Sequence, residues 1–204
     1  NKITKGGLPN KTLNIALAGT GVGKSLFMCH VASSILLQGK NVLYITLEMA
    51  EEKIAERIDA NLLNVPIQKL GEMPKQMFEK KVTNLAKKTQ GKLIIKEYPT
   101  ASANVGHFRA LLSDLALKKS FRPDIVFVDY LNICASSRYK GAANINSYTL
   151  IKSIAEELRG LACEAQVPFV SATQTTRSGY GSSDVDITDT SESFGLPATA
   201  DLMF

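Results

Sequence analysis

The run Ala18-Gly19-Thr20-Gly21-Val22-Gly23-Lys24-Ser25 sets three glycines, a lysine and a hydroxyl in the order that phosphate binding requires. Glycines let the backbone curl until successive N–H groups face phosphate oxygens. A helix starting at Lys24 adds the partial positive charge of its N-terminus. Lys24 is then placed to reach the β- and γ-phosphates of a nucleoside triphosphate, and Ser25 to put its hydroxyl on Mg²⁺. Ala18 stands where the usual pattern has glycine, and its small side chain still permits close packing. The flanks separate this loop from a plain glycine-rich turn, because a strand-like Leu13–Leu17 precedes it and a helical Lys24–Leu37 follows.

Three other positions could complete such a site. Asp129 closes the apolar strand Ile125-Val126-Phe127-Val128, where a carboxylate holds Mg²⁺, usually through water. Glu48 follows Val42–Leu47. There it either orients a water for in-line attack on the γ-phosphate or simply favours the start of the next helix through its charge. Gln174 leaves the strand Val167–Ala172. Its amide both donates and accepts, so it can sense a γ-phosphate, with Ser171 and Thr173 as nearby alternatives and an ordinary polar exit as the plain reading.

Elements that would position these groups alternate along the chain. Strands are expected at Leu13–Leu17, Val42–Leu47, Lys92–Lys96, Ile125–Asp129 and Val167–Ala172, and a further one begins at Asp201. Helices are expected at Lys24–Leu37, Ala50–Leu63, Pro74–Thr89, Asn104–Lys118 and Ser147–Glu164. Near-continuous apolar strands separated by helices mean a parallel sheet with right-handed crossovers, whose ligands sit at the C-terminal strand ends. The polar stretch Thr173–Ser193 is too long for an ordinary connection and reads as a functional loop.

Composition bounds the remainder. The 204 residues suffice for one α/β domain with a substantial core. No apolar run approaches the roughly 20 residues of a membrane span, and no basic-then-apolar leader opens the chain. Cys29, Cys134 and Cys163 are scattered, which predicts buried reduced thiols and neither a disulfide framework nor a metal site. His30 and His107 lack partners at ligand spacing and read as structural. A net charge of +5 permits nucleic-acid binding without demanding it. Arg138 and Lys140 sit in the polar loop Ser136–Asn146, either meeting phosphates or simply solvated. Thr175–Glu192 holds Arg177 against four acidic residues, so contacts there would lean on backbone N–H groups.

Taken together, these segments resemble the RecA-like motor domain of the DnaB family of replicative hexameric helicases, most of all its T-even-type bacteriophage members. The likeness rests on Gly6-Gly7-Leu8-Pro9-Asn10-Lys11-Thr12-Leu13 ahead of the phosphate loop, on Val42-Leu43-Tyr44-Ile45-Thr46-Leu47-Glu48-Met49-Ala50-Glu51-Glu52 and on Val128-Asp129-Tyr130-Leu131. It continues through Ile154-Ala155-Glu156-Glu157-Leu158-Arg159 and Gly195-Leu196-Pro197-Ala198-Thr199-Ala200-Asp201. The resemblance implies an α/β fold, a RecA-like P-loop NTPase core with a mostly parallel twisted sheet flanked by helices. Residues 1–12 would be a linker remnant and 13–204 the motor domain, stopping before the segment that supplies an arginine to the neighbouring subunit. On its own such a piece is expected to bind nucleotide, hydrolyse it weakly and assemble weakly.

By the same resemblance Glu48 is the catalytic glutamate, Lys24 and Ser25 hold ATP or GTP and Mg²⁺, Asp129 binds the metal shell, and Gln174 couples the γ-phosphate to the DNA loops. Those loops correspond to about 138–146 and 175–195, with Arg138, Lys140, Arg177, Glu192, Ser193 and Gly195 as candidate DNA contacts. The family's better-known second loop carries an arginine beside the glutamate aligned with Glu192, and this chain has Ser191 there. Implied partners are single-stranded DNA, five further copies in a hexameric ring, a primase and a helicase loader. The implied movement is five-prime to three-prime, in the cytoplasm of a host cell, with no membrane involved. A RecA-type recombinase shares the fold but forms filaments. A small-molecule kinase would need an arginine-rich lid, which the acidic second loop does not provide.

Overall fold

The computed structural model describes residues 4, 6–19, 21–87, 89–139, 145–174 and 195–204. Its centre is a six-stranded, all-parallel sheet in the order β3-β2-β4-β5-β1-β6. The strands are β1 (Leu13–Ala18), β2 (Val42–Thr46), β3 (Leu93–Glu97), β4 (Ile125–Asp129), β5 (Phe169–Gln174) and β6 (Leu202–Met203). Between them run α1 (Lys24–Leu37), α2 (Glu51–Leu63), α3 (Ile67–Leu70), α4 (Lys75–Ala86), α5 (Val105–Lys119), α6 (Ser147–Ala165) and α7 (Gly195–Thr199), with a short 3₁₀ helix at Leu131–Ile133.

Side-chain alternation along each strand feeds two cores, one on each face of the sheet. Leu43 and Ile45 of β2 join Val126 and Val128 of β4 under α5 and α6, where Phe108, Ile154, Leu158 and Leu161 close the layer. Val42, Tyr44, Ile125 and Phe127 face the other way, onto Met28, Cys29 and Ala32 of α1 and Ile54 and Ile58 of α2. The central strands are apolar on both sides because both sides are covered.

Helix ends follow local chemistry. Asn104 Oδ1 accepts from the Gly106 and His107 N–H groups at 2.9 and 3.4 Å, and His107 Nδ1 accepts from the Asn104 N–H at 3.2 Å, a reciprocal cap that gives His107 a structural role. His30 Nδ1 lies 3.0 Å from Asn61 Oδ1, joining α1 to α2.

The structure corrects two expectations. β5 begins at Phe169, not Val167, and extends to Gln174. Its polar end is tolerated because parallel pairing with β1 continues to Ala18↔Gln174, and buried Thr173 donates to Asn132 Oδ1 at 2.9 Å. Cys29 and Cys134 are buried as expected, whereas Cys163 is exposed. It falls off the inward stripe of α6 formed by Ile154, Leu158, Leu161 and Ala162. Burial pushes the Cys29 thiol up to about 11 and the Cys134 thiol up to about 12, so both stay protonated. In addition, α3, α7 and the 3₁₀ helix are short helical turns that carried no assignment from sequence.

Two segments of the resemblance meet in space. Arg159 of α6 holds Asp201 through both carboxylate oxygens, at 3.0 and 2.8 Å, and Asp201 Oδ2 also accepts from the Leu13 N–H at 2.9 Å. That pair ties α6 and the start of β6 to β1. Among the described residues no helix is long and apolar enough to cross a membrane.

Candidate nucleotide-binding site

Parallel pairing brings the C-terminal strand ends to one edge of the sheet. Thr46 of β2 lies beside Asp129 of β4, and Ala18 of β1 beside Gln174 of β5. Above this edge opens a cleft of about 240 Å³ lined by Gly21, Gly23, Lys24, Ser25, Leu26, Glu48, Met49, Arg57 and Gln174. Four groups from three separate parts of the sequence (Lys24 with Ser25, Glu48 and Gln174) therefore share one space.

The loop between β1 and α1 has the backbone that its glycines allow. Gly21 and Gly23 sit at φ 76° and 107°, in the left-handed region that side chains disfavour. Gly23 precedes α1, and its carbonyl accepts from the Phe27 N–H at 2.9 Å. Lys24 Nζ donates back to the Gly19 carbonyl at 3.3 Å and lies 5.4 Å from the centre of the Tyr130 ring. Burial lowers the pKa of Lys24, while the carboxylates of Glu48 and Asp129 oppose that shift.

Asp129 is fully buried at the floor of the site. Tyr44, also fully buried, stacks on Phe127 with ring centres 5.5 Å apart and donates its hydroxyl to Asp129 Oδ2 at 2.8 Å. Burial raises the Asp129 pKa, Ser25 and Tyr44 hydroxyls pull it down, and nearby Glu48 adds to the rise. The other oxygen, Oδ1, is buried and has no hydrogen-bond partner among the described residues.

A buried carboxylate oxygen without a partner, with the Ser25 hydroxyl nearby, fits a hard divalent cation such as Mg²⁺. Among the described residues no group of three or more acidic, His or Cys side chains forms a cage. That suits a cation completing its shell with water and phosphate oxygens.

Removing the Tyr44 hydroxyl tests this floor. Tyr44→Phe keeps the ring stacked on Phe127 but leaves Asp129 Oδ2 without its donor. A hydrogen bond to a charged group contributes about 1.5–3 kcal/mol, so the unfolding free energy in urea should fall by about that amount. An unchanged denaturation midpoint would show that the bond contributes nothing to stability.

Glu48 stands on a turn that the chain fixes from several sides. Thr46 Oγ1 donates to the Met49 carbonyl at 2.8 Å and accepts from the Met49 N–H at 3.1 Å. Thr100 Oγ1 donates to the Leu47 carbonyl at 2.7 Å. Just beyond, the Glu51 N–H donates to Glu97 Oε2 and the Glu97 N–H to Glu51 Oε1, at 3.1 and 2.8 Å, pinning the start of α2 to the end of β3. Glu48 itself is exposed to the cleft.

Gln174 is the last residue of β5, and its Nε2 donates to the Tyr130 hydroxyl at 3.0 Å. Neither Tyr130 nor Arg57 was singled out by sequence reasoning. Arg57 carried one signal, since it follows buried Ile54 by three positions and so faces inward along α2.

The candidate DNA residues divide differently. Arg138 Nη1 bonds Glu156 Oε2 at 2.5 Å, and Arg138 is not among the residues lining the cleft. Beside it Glu157, 9% exposed, accepts from Ser136 Oγ, Ser137 Oγ and the Ser137 N–H at 2.5, 2.5 and 2.9 Å. Burial alone would raise the Glu157 carboxyl, but these donors and Ser153 hold it below its ordinary pKa. Gly195 opens α7. Thr20, Lys140, Arg177, Glu192 and Ser193 lie outside the described residues.

The family of the DnaB-like helicase C terminal domain matches residues 1–204. The chain belongs to that family. This DnaB-like domain is 49% identical over 206 residues to the DnaB-like replicative helicase of Enterobacteria phage T4, an alignment that covers 100% of the chain and 43% of the phage protein. The fold is similar to a solved ATPase domain, with TM-score 0.77 and 19% identity, over 97% of this chain and 69% of that one. It is also similar to a DnaB-like replicative helicase solved in a study of its interactions with primase, with TM-score 0.76 and 19% identity over 96% and 46% of the two chains. The expected RecA-like architecture is thus met, with a sheet that is parallel throughout. The DnaB-like domain spans less than half the length of its T4 relative.

Proposed function

We infer that this chain is the motor domain of a replicative DNA helicase, which hydrolyses ATP or GTP with Mg²⁺ and draws single-stranded DNA through a hexameric ring. The observation that carries the reading is the convergence of Lys24, Ser25, Glu48 and Gln174 on one cleft, with Asp129 buried within reach of Lys24 and Ser25. In this reading the loop N–H groups and Lys24 hold the β- and γ-phosphates, and Arg57 adds positive charge to the same cleft. Ser25 and Asp129 hold the cation, which when bound neutralises charge on the phosphate oxygens. Glu48 accepts a proton from the water that attacks in line. Gln174 reports the presence of the γ-phosphate to the segment that follows it.

The DNA-facing groups in this reading are Arg138, Lys140, Arg177, Glu192, Ser193 and Gly195, on the two stretches of sequence that follow β4 and β5. Hydrolysis at subunit interfaces would shift those segments and move the strand five-prime to three-prime. The solved relative studied for its interactions with primase supports a primase as partner, and the family supports a loader. A host-cell cytoplasm is the matching location.

The test uses the intact protein and a forked duplex with a five-prime tail. Unwinding should require ATP or GTP and Mg²⁺, hydrolysis should rise on adding single-stranded DNA, and micrographs should show closed rings. Helical filaments on DNA, or hydrolysis indifferent to DNA, would overturn the reading.

A further inference from the structure

Tyr130 touches both halves of the cleft. It directly follows Asp129 and heads the 3₁₀ helix Leu131–Ile133. Its hydroxyl accepts from Gln174 Nε2 at 3.0 Å, and its ring lies 5.4 Å from Lys24 Nζ. Close by, Thr173 Oγ1 donates to Asn132 Oδ1 at 2.9 Å. Two side-chain bonds therefore join the last two residues of β5 to the turn after β4. From that turn the chain runs to Ser136 and Ser137, which Glu157 clamps to α6. From Gln174 it runs directly into residues 175–194.

Both groups on Tyr130 are groups that a triphosphate would also attract. A phosphate oxygen is a charged acceptor, and charge-assisted hydrogen bonds outweigh neutral ones. Gln174 Nε2 would leave a phenol oxygen for such an acceptor. Lys24, bonded here to the Gly19 carbonyl, faces the same competition.

We propose that Tyr130 is a positioning residue that supplies the resting partner of the Gln174 amide, so that Gln174 alternates between the Tyr130 hydroxyl and the γ-phosphate and thereby links nucleotide state to the two polar segments. The proposal rests on the motor reading above. In it Tyr130 contacts no reacting atom. Its ring stays beside Lys24 while its hydroxyl offers Gln174 a defined position when no γ-phosphate is present.

The experiment measures the affinity of the intact protein for a labelled oligothymidylate, once with ADP and once with a non-hydrolysable triphosphate analogue. The ratio of the two affinities reports coupling, which a merely structural role would leave in place. In the wild type that ratio should be at least about fivefold, the lower range of ordinary coupling between sites. Tyr130→Phe keeps the ring and removes the hydroxyl, and should bring the ratio toward one. Gln174→Leu attacks the same bond from its other end and should do likewise. The double variant should be no worse than either single one, because both remove one interaction. A wild-type ratio in Tyr130→Phe, or effects that multiply in the double variant, would overturn the proposal while leaving the motor reading intact. A wild-type protein whose DNA affinity ignores the nucleotide would overturn both.

Discussion

Replacing Lys24 with alanine should abolish nucleotide binding or turnover in the intact protein while leaving the fold in place. Among the described residues Lys24 Nζ bonds one carbonyl of its own loop and no side chain of the core, so its loss removes little from stability. Its place in the cleft is another matter. It stands between the loop glycines and two carboxylates, Glu48 and Asp129, whose charges it feels. Without it a triphosphate would meet those carboxylates with one cation fewer, and developing charge on the leaving oxygens would lose its donor. Removing a single preorganised donor of that kind costs about 10²–10³-fold in rate. Fluorescent-nucleotide titration with Mg²⁺ and a phosphate-release assay would measure the two effects, with thermal unfolding as the control. Wild-type affinity together with wild-type turnover would remove the loop from the site.

What could be read in advance depended on how far apart the cooperating atoms lie in the chain. The phosphate loop is contiguous, and so are the strand that leads to Glu48 and the strand that ends in Asp129, so local patterns sufficed for them. Tyr44 was invisible in that way. It occupies an apolar strand and reads as core, and only the β2–β4 register, Tyr44 beside Phe127 and Thr46 beside Asp129, brings its hydroxyl to the carboxylate. Tyr130 needed the end of β5, and Glu157 needed serines that precede α6 and lie beyond the reach of any helical spacing. The end of β5 itself was missed because Thr173 and Gln174 are polar, and polarity signalled an exit where a partner, Asn132, in fact permits burial. Cys163 failed for the opposite reason, since apolar neighbours in sequence do not fix which side of α6 a residue takes. Helical turns as short as α3 and α7 show too little periodicity to be recognised.

Glu48→Gln should bind nucleotide and Mg²⁺ normally and lose hydrolysis. The substitution keeps the shape of the side chain and removes only its capacity to take a proton. Its surroundings make the result interpretable. The turn is fixed by Thr46 and Thr100 through backbone groups, independently of the Glu48 carboxylate. The competing role, a negative charge favouring the N-terminus of α2, is already filled by Glu51 and Glu52 in the first turn. Such a charge contributes about 0.3–1 kcal/mol to stability and nothing to turnover. A positioned general base contributes about 10²–10⁴-fold to rate. The two roles therefore predict opposite outcomes in one variant: a slight drop in unfolding temperature with hydrolysis intact, or an unchanged fold with hydrolysis nearly gone. Single-turnover phosphate release from the intact protein, saturated with nucleotide and single-stranded DNA, separates them. Retention of the wild-type rate would leave Glu48 as a helix-start charge and require another group in the cleft to take the proton from water.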